Sequence, residues 1–106
     1  MGSTAPNKQR MMDLIYEAID EVNDTLPPQR RLEKTPTTVL FGTGTTLDSL
    51  GLVNLVVGFE QRVVQELGTA ITLADERAMS QRNSPFHSVE TLANYTVELV
   101  RETSDG

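Results

Sequence analysis

The stretch LDSLGLVNLVVGFEQRVVQELG, residues 47–68, predicts a long helix from about Ser49 to Leu67. Asp48 and Ser49 are both favoured N-cap residues, and Gly68 is a typical helix stop. At 100° per residue, apolar side chains cover roughly 220° of this helix, whereas a surface helix needs an apolar stripe of about 100°. The helix is therefore either buried on several sides or apolar on both a core face and an exposed face.

We favour two apolar faces, because Glu60 falls within the apolar arc and burial of a lone carboxylate is costly. The core face is predicted to consist of Leu52, Leu55, Val56, Phe59 and Val63. The exposed face is predicted to be an apolar strip beside Ser49 that consists of Leu50, Val53, Val57 and Val64.

Apolar periodicity predicts a further long helix on each side of this one. The first spans residues 7–26 and is ended by Pro27 and Pro28, which cannot continue a helix. Its inner face is predicted to be Met11, Ile15, Ala18, Ile19, Val22 and Leu26. The last spans residues 89–101, with Ser88 as N-cap and Glu90 placed to suit the helix dipole. Its inner face is predicted to be Val89, Leu92, Ala93, Thr96 and Val100.

The segments between these helices complete an all-α fold. Residues 27–47 form a long loop that Val39, Leu40 and Phe41 are expected to hold against the core. A weak helical turn is expected at residues 75–81. The prediction is thus a small four-helix bundle with three long helices and one short helix. It forms one domain over residues 7–102, with disordered ends at 1–6 and 103–106.

Composition excludes several classes of function. The chain of 106 residues has no Cys and one His, which argues against disulfides, cysteine-based metal sites and a Ser–His pair. Its net charge of −6 argues against nucleic acid and membrane surfaces as partners and predicts basic partner surfaces. Without a signal peptide or a membrane span, we expect a cytoplasmic monomer with no catalytic residues and no metal site.

Several motifs in order resemble the acyl carrier protein family. Asp-Ser-Leu at residues 48–50 opens the second helix after a long loop, and Glu66-Leu67-Gly68 closes it. Residues 71–76, ITLADE, are similar to the family's linker into its third helix, and residues 85–93, PFHSVETLA, to the entry into its last helix. The resemblance covers residues 7–101.

The resemblance implies that Ser49 carries 4′-phosphopantetheine donated by coenzyme A, and that Asp48 helps the phosphopantetheinyl transferase to orient it. A helix N-terminus favours a bound phosphate, and the thiol of the arm would supply what a cysteine-free chain lacks. The core face would shelter an acyl chain, and acyl-loading and acyl-transfer enzymes would be the further partners. Their binding surface would comprise Leu50, Val53, Asn54, Val57, Glu60 and Gln61.

The second helix departs from the pattern of fatty-acid carriers. Gly51 and Asn54 stand where acidic residues are common, and Arg62 interrupts the later acidic run. We therefore expect a specialised acyl pathway, such as polyketide, lipid-modification or surface-glycan synthesis, rather than housekeeping fatty-acid synthesis.

Two other functions stay open. A peptidyl or aminoacyl carrier usually has Gly-Gly before its attachment motif, where this chain has Thr45-Thr46-Leu47. A helical adaptor without a prosthetic group would use Asp48 and Ser49 only as a helix cap.

Overall fold

A computed structural model describes residues 7–41, 47–68 and 86–105, without the side chains of Ser49 and residues 102–105. The helices in these ranges are α1 (Lys8–Asn23), α2 (Ser49–Leu67) and α3 (Val89–Asp105), with a 3-10 turn at Pro28–Arg30. The one β-bridge within them, between Val39 and Ser88, is isolated. The all-α class is therefore confirmed for these ranges, whereas the helical turn predicted at 75–81 lies outside them.

Helix α2 has the predicted bounds. It begins after the N-cap Asp48 and ends at Gly68, whose φ of 69° lies in the left-handed region that glycine adopts without strain. Both predicted signals are local, since each acts on the backbone groups of its own helix end.

The other two helices differ from their predicted bounds. Helix α1 ends at Asn23 rather than near Leu26, because the N–H groups of Thr25 and Leu26 bond to carbonyls three residues back and tighten the chain into a turn. Helix α3 continues beyond Arg101 to Asp105, since neither Gly nor Pro interrupts the chain before Gly106.

The core lies where α1 packs against both α2 and α3. The predicted inner face of α1 is buried as far as Val22, and Leu26 is only partly buried. The predicted inner face of α3 is buried throughout. It includes the hydroxyl of Thr96, which donates to the Leu92 carbonyl oxygen at 2.8 Å and so satisfies its hydrogen bonding within the core.

Helices α1 and α2 run antiparallel, as the contacts along their seam show. At one end Arg10 pairs with Glu66, and towards the other end Arg62 pairs with Glu17 and Glu21. Gly58, four residues before Arg62 on α2, is buried, and an added Cβ there would lie 4.0 Å from the Cβ of Ala18 on α1. Two small residues thus let the helix backbones approach closely.

The loop after α1 is tied to the start of α3. The Leu40 N–H donates to the His87 carbonyl oxygen at 2.7 Å, and the Val89 N–H donates to Thr38 at 3.1 Å. Leu40 is buried, but Phe41 is 40% exposed and Val39 only half-buried. The expectation that Phe41 enters the core is therefore wrong, because of these three residues only Leu40 has a buried side chain.

No helix in the described ranges is long and apolar enough to cross a lipid bilayer.

Candidate functional site

The start of α2 is built around the Asp48 carboxylate. Asp48 has extended backbone angles, and its Oδ1 accepts the Gly51 N–H at 2.7 Å. Its carbonyl oxygen accepts the Leu52 N–H at 3.0 Å, which is the first bond of the helix ladder. These two bonds set the direction in which α2 leaves the loop and place Ser49 as the first helical residue.

Gly51 leaves the space that this cap needs. A Cβ at position 51 would lie 2.9 Å from Leu47 Cδ2 and 3.1 Å from Asp48 Oδ1. Leu47 is buried, so a larger residue at this position would displace it or the capping carboxylate. The glycine that departs from the acidic pattern of fatty-acid carriers therefore has a local packing reason.

The first turn of α2 can stabilise an anion. The N–H groups of Ser49 and Leu50 have no carbonyl partner within the helix, as is general for the first turn, and the helix dipole adds partial positive charge. Asp48 is exposed and the Leu50 side chain is 69% exposed, so another protein can reach this helix end. The arrangement suits a phosphate group held at an open surface.

The two apolar faces predicted for α2 are both present. The five residues of the core face are all buried, and Leu55, Phe59 and Val63 are fully inaccessible. The four residues of the apolar strip are all exposed, from 69% at Leu50 to 39% at Val64. The other predicted partner-binding residues of α2 are Asn54 and Gln61, which are exposed, and Glu60, which is half-buried.

A shallow groove of about 270 Å³ lies beside the apolar strip, between α2 and the end of α1. Asn54, Val57 and Gln61 belong to the predicted partner-binding surface, whereas the residues that α1 contributes to the groove were not predicted. The groove is lined by Glu21, Val22, Thr25, Asn54, Val57, Gly58 and Gln61. The helical period places Val22 on the inner face of α1, but it cannot show that α2 lies close enough for the two helices to form a groove.

Arg62 belongs to the seam between the helices. Its guanidinium lies 3.4 Å from Glu17 Oε1 and 3.2 Å from Glu21 Oε2, and it donates to the Gly58 carbonyl oxygen at 3.2 Å. The hydrogen bond to Glu21 raises the pKa of Arg62 above its ordinary value. The residue that interrupts the acidic run of α2 thus pairs with carboxylates of α1.

Charge is compensated in the same way at the other end of the seam. Arg10 holds Glu66 with two hydrogen bonds of 2.7 Å, which lower the pKa of that carboxyl.

His87 lies in the turn before α3, where its Nδ1 is 3.2 Å from the Phe41 carbonyl oxygen. In the described ranges no three His, Asp or Glu side chains are grouped so that they could hold a metal ion.

No model of a known protein family matches the chain, and neither does any curated protein or solved structure.

Proposed function

We propose that the chain is an acyl carrier protein that bears 4′-phosphopantetheine on Ser49. The observation that supports this most directly is the position of Asp48-Ser49-Leu50 at the start of α2, followed by an exposed apolar strip on the same helix. An attachment serine has to reach a transferase and then several enzymes in turn. An exposed helix start beside an exposed apolar strip would be accessible to the transferase and would offer the later enzymes a surface to bind.

The residues around Ser49 fit a phosphodiester. The first-turn N–H groups and the positive end of the helix dipole stabilise its negative charge. Asp48 holds the start of α2 rigid through its bond to Gly51, and its exposed carboxylate is available to the transferase. When bound, the group supplies a thiol on which an acyl chain is carried as a thioester. The chain itself has no Cys and therefore no thiol of its own.

The core face of α2 is the proposed shelter for the acyl chain. Leu55, Phe59 and Val63 pack into the centre of the molecule, where aliphatic cargo would be protected from water. A short helix between α2 and α3 would complete the four-helix bundle around this cargo. Leu52 is the residue of this face nearest to Ser49 along α2, so it would contact the part of the acyl chain nearest the arm.

A specialised pathway remains our proposal for the cargo. The packing at Gly51 and the pairing of Arg62 with α1 leave α2 with little of the acidic surface that fatty-acid enzymes usually recognise. The test compares loading by fatty acid synthase enzymes with loading by acyl enzymes encoded beside this chain. Efficient loading by the fatty acid synthase enzymes would contradict a specialised role.

Intact mass tests the carrier function itself. The protein is incubated with coenzyme A, magnesium and a promiscuous phosphopantetheinyl transferase, and we expect a single gain of about 340 Da, the mass of the transferred group. Ser49→Ala should abolish the gain while it preserves the helix, because Ala is a good helix former and Asp48 still caps α2. Circular dichroism of the variant checks the fold.

A helical adaptor is the second candidate. The bond from Asp48 Oδ1 to the Gly51 N–H accounts for the motif as a simple helix cap, and the apolar strip would then be a docking face without an arm. No gain in mass with several transferases would favour the adaptor, whereas a gain that survives in Ser49→Ala would move the attachment to another residue.

A further inference from the structure

We infer that Gly51 and Leu47 are positioning residues for the modification of Ser49, because together they fix where the Asp48 carboxylate lies. Leu47 directly precedes the cap, and Gly51 lies in the first turn of α2. The inference rests on the proposed carrier function. It goes beyond that function by assigning a contribution to two residues that do not themselves carry the arm.

Glycine is an unfavourable residue at position 51 for the helix alone. Within a helix Gly is less stable than Ala by about 0.5–1 kcal/mol, and a Glu at this third helical position would add a second capping bond. The backbone does not require Gly here either, since Gly68 is the one glycine with positive φ in the described ranges. The reason for Gly51 therefore lies in its surroundings.

The space beside Gly51 is taken up by two side chains. An added Cβ would lie 2.9 Å from Leu47 Cδ2, too close for an ordinary contact, and 3.1 Å from Asp48 Oδ1. Leu47 is only 9% exposed and belongs to the hydrophobic core, whereas Asp48 is exposed. Because Leu47 is held by the core, the capping carboxylate is the group that can yield to a larger residue at position 51.

A displaced carboxylate would alter the start of α2 that the transferase meets. The bond from the Gly51 N–H to Asp48 Oδ1, 2.7 Å long, holds this carboxylate in one orientation next to Ser49. Its displacement would disturb the alignment of the serine with the phosphate donor but would leave the exposed apolar strip unchanged. Misalignment of reacting groups lowers kcat, whereas an unchanged docking surface preserves KM.

The experiment measures kcat and KM for transfer from coenzyme A to the full chain by a promiscuous phosphopantetheinyl transferase with magnesium. Gly51→Ala adds the methyl group, and Leu47→Val removes the atom that it would strike. The double variant combines the two changes. Ile15→Val is the control for lost stability, because it removes one buried methylene group from α1 and leaves the start of α2 unaltered. Circular dichroism checks that every variant is folded at the assay temperature.

We expect Gly51→Ala to lower kcat about tenfold and to leave KM for the chain within about twofold. The double variant should return to within about twofold of Leu47→Val alone, because the shortened side chain makes room for the methyl group. Ile15→Val should stay within about twofold of the unmodified chain in both constants. Rescue by a second substitution in the core is a result that loss of stability alone would not give.

Three results would overturn the inference while the carrier function stands. They are a normal kcat for Gly51→Ala, a loss that Leu47→Val does not relieve, and a loss that lies entirely in KM. The last would assign position 51 to direct contact with the transferase. Failure of every chain to gain the arm would instead remove the carrier function, and the positioning contribution with it.

Amide hydrogen exchange gives a second readout that does not depend on the transferase. The bond to Asp48 Oδ1 protects the N–H of residue 51. Relative to the intrinsic rate of each residue type, exchange at this amide should accelerate in Gly51→Ala and slow again in the double variant. Unchanged protection in Gly51→Ala would show that the carboxylate is not displaced and would overturn the inference.

Discussion

Asp48 combines a structural and a proposed functional contribution in one side chain. Its Oδ1 accepts the Gly51 N–H at 2.7 Å, which satisfies one of the donors that every helix start leaves without an intrahelical partner. The same carboxylate is exposed next to Ser49, where a transferase would approach. Because Asn also caps helices through its side-chain oxygen, substitution at this position can separate the two contributions.

We predict that Asp48→Ala lowers the free energy of unfolding by about 1 kcal/mol, because the N-cap bond is lost. Asp48→Asn should stay close to the unmodified protein in stability yet accept the phosphopantetheine arm more slowly, because it keeps the cap and loses the charge. Urea denaturation measures the first effect and the initial rate of mass gain the second. Equal modification rates for Asp48→Asn and the unmodified chain would confine Asp48 to capping.

At the scale of the helices, the α1–α2 seam combines charged pairs with two small residues that face each other beside one of these pairs. Gly58 and Ala18 permit close approach, and Arg62 spans the seam to Glu17 and Glu21. This packing leaves α2 with a buried core face and an exposed apolar strip. The seam therefore sets which face of α2 is available to partners.

The pair of Arg10 and Glu66 predicts a pH dependence of stability. The pKa of Glu66 is lowered in the folded protein, so the pair stabilises the fold above the ordinary glutamate pKa of about 4.3 and ceases to do so as pH falls through the lowered value. We expect Arg10→Gln to melt below the unmodified protein at pH 7, with a smaller difference at pH 3. The effect should be small, since both side chains are partly exposed.

Thermal unfolding followed by circular dichroism at both pH values measures this difference. Lys8→Gln is a suitable control, because Lys8 makes a comparable exposed pair with Glu90 of α3 and leaves the α1–α2 seam untouched. A difference between Arg10→Gln and the unmodified protein that persists unchanged at pH 3 would show that Glu66 is not the group involved.

Across the whole molecule, the loop between α1 and α2 serves as a brace for α3. The Val89 N–H donates to the Thr38 carbonyl oxygen and the Glu90 N–H to the Pro36 carbonyl oxygen at 2.9 Å, so the loop backbone satisfies donors at the start of α3. Leu40 is 1% exposed and anchors the same loop in the core. The loop between α1 and α2 thus connects both of these helices to α3.

We predict that Leu40→Ala lowers the free energy of unfolding by roughly 3 kcal/mol, because it removes a fully buried side chain and leaves a cavity. Hydrogen exchange at the Val89 and Glu90 amides should accelerate as the brace loosens. Phe41→Ala is the matched control and should cost less than about 1 kcal/mol, because Phe41 is 40% exposed. Urea denaturation compares the two variants, and equal losses would contradict the difference in burial.

The sequence by itself determined the all-α class, both ends of α2 and the division of that helix into core face and apolar strip. These features follow from local signals: capping by Asp48, the left-handed stop at Gly68 and the helical period. Local signals do not depend on which other segments the helix packs against. The Asp-Ser-Leu motif was likewise visible in the sequence. Its chemical role stays a prediction that the mass experiment tests.

Only the tertiary structure decided which surfaces meet. It placed Arg62 against Glu17 and Glu21, opened a groove between α1 and α2, and put Leu40 rather than Phe41 into the core. Each of these depends on contacts between segments far apart in the chain, where packing and loop closure select one arrangement from several that the local pattern allows equally.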